Sequence, residues 1–96
     1  MMITLTGTLI CTTLQDVDIV ARHLPDHIRL SRAEPGCLWF KVDQSADPLI
    51  WTLDEGFVDA AAFAAHQART RASAWWQATG HIARDFVMGE QPDPAT

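Results

Sequence analysis

His66 is the side chain best suited to move a proton at neutral pH. It closes the run Ala60-Ala-Ala-Phe-Ala-Ala, in which five of six residues are alanine. Methyl groups leave space beside an imidazole rather than filling it. A histidine there can serve as general acid or base, with an ordinary pKa of about 6.5. The alternative is a helix-end histidine that bonds nearby carbonyls, where the helix dipole favours its charge. Trp51, Glu55 and Phe57 share one face of an alternating run, and Trp39 lies on a neighbouring run. They form either an aromatic pocket with one carboxylate, suited to a flat apolar ligand, or core and interface packing. A buried carboxylate needs a partner, and Arg84, in the last alternating run, is the arginine placed to supply one. Arg69, Thr70, Ser73 and Trp76 lie on one side of a helical stretch. That stretch is either a wall binding an oxyanion through Arg69 or Ser73, or an amphipathic helix with a solvated arginine. Trp75 and Trp76 are adjacent, so only one can face inward, and the sequence leaves open which.

Other chemistries lack their residues. There is no Ser/His/Asp motif, phosphate-cradling glycine loop or nucleotide fingerprint. Cys11 and Cys37 are too few for a disulfide framework and have no zinc-ligand spacing. Both fall in apolar strands, where free cysteine acts as a small buried hydrophobe. His23 and His27 are four residues apart, but Pro25 between them spoils the helix geometry that a metal pair needs. With His81 they read as surface or cap residues, and no metal site is expected.

The elements that must position these groups are legible from periodicity. Ile3, Leu5, Leu9 and Cys11 alternate with Thr4, Thr6 and Thr8, which predicts a strand. Gly7 within it marks a bulge or a close approach of another backbone. Thr12, Thr13 and Asp16 supply helix-start chemistry, and Val17, Val20, Leu24 and Ile28 follow at helical spacing. Pro25 predicts a kink near Leu24 or two abutting helical pieces. Glu34-Pro-Gly ends the helix. Cys37–Val42 is a strand with Leu38, Phe40 and Val42 on one face and Cys37, Trp39 and Lys41 on the other. Leu49–Phe57 is the next, and Asp59 caps a helix from Ala60 to about Gln67. A further helical stretch runs from about Ala68 to Thr79, where Gly80 stops it. Ile82–Met88 is the last strand. Residues 1–90 form one domain, and 91–96 are a polar, proline-rich tail.

The 96 residues carry a net charge of −5. That balance argues against a nucleic-acid footprint and against binding anionic membrane surfaces. No apolar run approaches the eighteen or so residues of a membrane span, and no secretory signal is visible at Met1-Met2-Ile3-Thr4, so a cytoplasmic protein is expected. The order β-α-β-β-α-β is the split βαβ pattern, α+β, with a four-stranded antiparallel sheet and helices on one face. Phe40 and Val42 on one side of a strand and Trp39 on the other predict that the open sheet face is also covered, most simply by a second copy of the chain.

Glu34-Pro-Gly-Cys, the strand ending in Glu55-Gly-Phe, and the Ala/Phe-rich helix ending in His66 together resemble the antibiotic-biosynthesis-monooxygenase family of the dimeric α+β barrel superfamily. The resemblance runs over nearly the whole chain and implies a ferredoxin-like fold and a sheet-to-sheet homodimer. It also implies a cofactor-independent monooxygenase of a small hydrophobic aromatic, a quinol or polycyclic phenol. His66 would be its acid/base, with Glu55 and Arg84 as further catalytic groups. Trp39, Trp51, Phe57, Phe63 and Trp75 would wall the substrate beside Arg69 and Ser73, with Arg69 or Arg84 stabilising a phenolate. The alternative is a non-catalytic dimeric module binding a hydrophobic metabolite. Haem binding or degradation, found in relatives of this fold, uses a strand Asn that this chain lacks.

Overall fold

The computed structural model describes residues 1–93. Its elements are β1 (Met2–Ile10), α1 (Leu14–Arg32), β2 (Cys37–Gln44), β3 (Ile50–Phe57), α2 (Ala60–Arg71), α3 (Ala74–Thr79) and β4 (Ala83–Gln91). The sheet is antiparallel throughout, in the order β2-β3-β1-β4. This is the split βαβ arrangement, with all three helices on one face. Leu5, Leu9, Phe40, Val42, Trp51 and Leu53 turn toward the helices and bury against Val20, Leu24 and Trp75. Period-two alternation in the strands and the 3.6-residue period of α1 put these side chains in one layer.

Gly7 sits where backbone conformation and space both demand glycine. Its φ is +149°, and a Cβ there would lie 2.0 Å from the Asp85 carbonyl oxygen on β4. Gly7→Ala is therefore expected to destabilise the domain by more than ~2 kcal/mol. Urea denaturation at pH 7 checks this; an unchanged midpoint would mean that β4 can retreat without loss.

Four expectations about the elements are corrected. α1 is a single helix through Pro25, not two pieces. Pro25 is exposed, and the inward residues Val20, Leu24, His27 and Ser31 keep their face on both sides of it. Tertiary packing of that stripe outweighs the lost backbone bond. The break between the later helices falls at Ala72-Ser73 rather than near Gln67. Nothing in Gln67-Ala68 disfavours helix, whereas Ser73 caps α3 by accepting from the Trp76 backbone N–H at 3.3 Å. Leu38 does not share the buried face of Phe40 and Val42: a bulge between Cys37 and Trp39 leaves it outward. The last strand does not end at Met88: β4 continues to Gln91, opposite Met2, and residues 94–96 of the expected tail lie outside the described residues. No described helix is long and apolar enough to cross a membrane.

Candidate active site

A cavity of about 140 Å³ lies between the helices and the sheet. Leu5, Leu9, Val42, Leu53 and Phe86 supply its apolar sheet side, and His27, His66, Thr70 and Trp75 its helix side. Glu55 and Arg84 enter from the strands, and Gln67, Arg71 and Trp76 complete the wall.

His66 sits in the middle of α2, buried, rather than at a helix end. Its Nδ1 faces the Glu34 carboxylate, 3.0 Å from Oε2 and 3.2 Å from Oε1. The Pro35-Gly36 turn after α1 carries Glu34 to this point. Arg69 Nε donates to Glu34 Oε1, and Arg69 Nη2 donates to Ser31 Oγ at 2.9 Å. A carboxylate only accepts hydrogen bonds, so Nδ1 of neutral His66 carries the proton and Nε2 presents its lone pair. That lone pair lies 3.4 Å from Glu55 Oε1 and 3.4 Å from Thr70 Oγ1. Burial lowers the His66 pKa, with the Glu34 charge opposing it.

Glu55 is only 3% exposed, and its Oε1 has no well-aligned hydrogen bond. Burial, then the charges of Glu34 and Asp54, push its pKa up to about 8. At pH 7 the site therefore sets a neutral carboxylic acid beside a neutral imidazole, an acid and a base ready in one cavity.

The expected Glu55–Arg84 pair is not formed. Arg84 Nη1 donates to the Thr79 and Ile82 carbonyls at 2.8 and 2.9 Å, and Nη2 to Thr79 Oγ1 at 2.9 Å. Orphan carbonyls at the end of α3 hold the guanidinium instead. Arg69 is not solvated; it steadies Glu34 from behind. Of the adjacent tryptophans, Trp75 is buried and Trp76 half-buried, yet both reach the cavity wall. His27 is not a surface residue but is buried and stacked on Trp75, with ring centroids 4.7 Å apart. Burial, aided by the charges of His66, Arg69 and Arg84, drops its pKa to about 3. His81 is exposed and bonds Asp16, as a cap residue does.

The cavity thus brings together His66, Glu55, Arg84 and Trp75, and leaves out the other expected site residues. Trp39 is on the opposite sheet face, its ring over Gly56 and its Nε1 donating to Asp54 Oδ1 at 2.8 Å. Trp51 is buried in the core, and Phe57 and Phe63 pack on each other, with Phe57 supporting the His66 ring. Ser73 caps α3. Sequence reasoning missed Glu34 as the partner of His66, and no local spacing could have paired residues so far apart. It missed Arg71 and Gln67 too, whose spacings of five and one from His66 are not those of neighbours on one helix face.

A family model described as antibiotic biosynthesis monooxygenase matches residues 15–78. No curated protein matches the chain. Among solved structures, Rv0793 of Mycobacterium tuberculosis superposes with a TM-score of 0.76 at 17% identity, covering 100% of both chains. A Deinococcus radiodurans protein provisionally named an antibiotic biosynthesis monooxygenase superposes with a TM-score of 0.80 at 20% identity, covering 100% of this chain and 97% of that one. A Nitrosomonas europaea protein with the same provisional name gives 0.74 at 22% identity, covering 95% and 98%. These likenesses show the fold, and the family model, matching two-thirds of the chain on the Glu34-Pro-Gly turn and the His66 helix, shows the lineage: the chain belongs to the antibiotic biosynthesis monooxygenase family.

Proposed function

We propose that the protein is a cofactor-independent monooxygenase of a phenol or quinol whose reacting part is a single aromatic ring. One observation carries this reading: His66, oriented by Glu34, turns its free Nε2 toward a protonated Glu55 inside an apolar cavity of one-ring size. A dry protein cavity of about 150 Å³ takes up benzene; 140 Å³ therefore suits one ring, and fused polycyclic phenols would protrude. A porphyrin would not enter at all.

In this chemistry the substrate is the reductant. His66 Nε2 takes the phenol proton, and Arg84 is the cation placed to hold the phenolate. The ring carbanion passes one electron to O₂, and the radical pair joins to form a carbon–oxygen bond. Glu55 first protonates the peroxide anion to a hydroperoxide. The Glu55 carboxylate so formed takes the ring hydrogen from that carbon as a proton, which breaks the O–O bond; the departing hydroxide takes the proton held by His66 and leaves as water, and a quinone remains. One oxygen atom ends in product and one in water, so no external electron donor is needed. The apolar wall keeps bulk water from the intermediates.

Oxygen uptake by metal-free protein, offered single-ring, two-ring and three-ring phenols and quinols, tests the reading. Uptake above autoxidation, greatest for single-ring substrates, is expected. Uptake equal to the blank throughout would overturn it and favour the non-catalytic binding module.

The same reading includes a homodimer through the open sheet face. Ile10 and Val87 are exposed there, and Trp39 is half-exposed beside them. Single apolar residues on a surface are ordinary, but three on one sheet face favour a covering partner. Sedimentation at micromolar concentration should give twice the monomer mass; a monomer would sink the dimer.

A further inference from the structure

The charge of the cavity is opposite to that of the protein. The chain carries −5 overall, with twelve acidic residues against seven basic ones. Yet the groups on the cavity wall that are ionised at neutral pH are the two guanidiniums of Arg71 and Arg84. Glu55, His66 and His27 are all neutral there. The nearest carboxylate behind the wall, Glu34, is already paired with Arg69.

Arg71 is distinctive among the arginines. Arg22 pairs with Asp18, Arg29 with Asp26 and Arg69 with Glu34, while Arg32 and Arg84 donate to backbone carbonyls. Among the described residues Arg71 has neither a carboxylate nor a carbonyl partner. Its guanidinium lies instead over the Trp76 ring, 5.1 Å from the centroid, and Arg84 lies over the same ring at 4.8 Å. Trp76 thus draws two cations to one ring, favoured by its quadrupole. An anion at the rim would give Arg71 the ionic partner it lacks among the described residues. The place is also right: Gln67 and Arg71 are the exposed members of the cavity wall, so they mark where the cavity meets solvent.

We propose that this mouth binds a carboxylate on a side arm of the substrate, with Arg71 as the anchoring cation and Arg84 and Gln67 beside it. The inference rests on the reading of the cavity as an aromatic-ring site and names the ring's substituent: the ring goes in, and the acidic arm stays at the rim. Planar guanidinium and carboxylate match in a bidentate pair, which makes Arg71 selective for that group as well as attractive. The same charge would draw anionic ligands toward this cationic opening on a chain of net negative charge.

The test needs binding alone. Two probes differ only in the arm: (2,5-dihydroxyphenyl)acetate and 2,5-dihydroxytoluene. Each is titrated under argon, following the fluorescence of the tryptophans, two of which line the cavity. The acid is expected to bind about tenfold tighter at low salt, and the advantage should shrink as ionic strength rises. Arg71→Gln should abolish the preference, and Arg71→Glu should reverse it, while the neutral probe is much less affected. Arg71 is exposed, so both variants should fold, which circular dichroism would check. Equal affinities in the wild type, or a preference that survives Arg71→Gln, would overturn the proposal. The two readings fail separately. Arg71-dependent preference without oxygen uptake would refute the oxygenase and keep the carboxylate site. Uptake on both probes without preference would do the reverse.

Discussion

Replacing His66 with alanine should lower turnover on a single-ring phenol by about 10²–10⁴-fold, the range for loss of a positioned proton acceptor. Affinity should change far less, because the imidazole is one wall among many. Tautomer and position both suit His66 to this role. Glu34 holds the Nδ1 proton, so Nε2 is free, and it points at the same space that Glu55 and Thr70 reach. Glu34→Gln separates this from mere packing. A glutamine amide can donate to Nδ1 and force the proton onto Nε2, which removes the base while keeping the volume. About 10–100-fold loss of kcat is expected, with KM nearly unchanged. The pH profile supplies a second check. Burial lowers the His66 pKa, so the acid limb should lie below 6.5, and the loss of the Glu55 proton should give an alkaline limb near 8. Oxygen uptake in His66→Ala equal to that of the wild type would remove His66 from the chemistry.

The contrast between fold and site shows what a single sequence can carry. Strand alternation in Ile3–Cys11 and Leu49–Phe57, the Asp59 cap and the Gly80 stop are local signals, and each was found where local rules place it. His66, Glu55, Arg84 and Trp75 meet in one cavity because the alternation of β3 and β4 turns Glu55 and Arg84 toward the helices that carry the other two. What was illegible is long-range. The Glu34 partnership joins residues 32 apart, and the same turn residues read equally well as a simple helix stop. Trp39 was placed beside the ligand because its neighbour strand carries Glu55, but the residue opposite Glu55 is Phe40, and simple alternation sends Trp39 to the other face. Pro25 misled in the other direction: a local rule for breaking a helix lost to the burial of Leu24 and His27 on either side. Burial also decided His27, which no polar pattern along α1 distinguishes from His23.

Glu55→Gln should make the protein more stable than the wild type above neutral pH. Glu55 has its pKa raised from an ordinary 4.5 to about 8, with burial the largest cause. A folded pKa above the unfolded one means that the native state holds a proton the unfolded chain has released. The stabilisation is complete below 4.5 and is lost as pH rises through 8. His27 works oppositely. Its folded pKa of about 3 lies below 6.5, so its contribution is complete above 6.5 and is lost as pH falls toward 3. Between 4.5 and 6.5 the two slopes offset each other, and above 6.5 that of Glu55 stands alone. At 1.36 kcal/mol per unit for one proton, the wild type should lose about 2 kcal/mol between pH 6.5 and 8. Glutamine has nearly the same volume and carries no titrating group, so the variant should be flat over that range. Urea denaturation at pH 5.5, 6.5, 7.5 and 8.5 would show the two curves diverging. His27→Phe, which preserves the stack on Trp75, should uncover the Glu55 slope between pH 4.5 and 6.5, so that stability falls with pH there too, and leave the alkaline slope intact. Identical alkaline slopes in wild type and Glu55→Gln would mean that Glu55 is ionised in the native state at neutral pH. It could not then serve as the acid that protonates the peroxide.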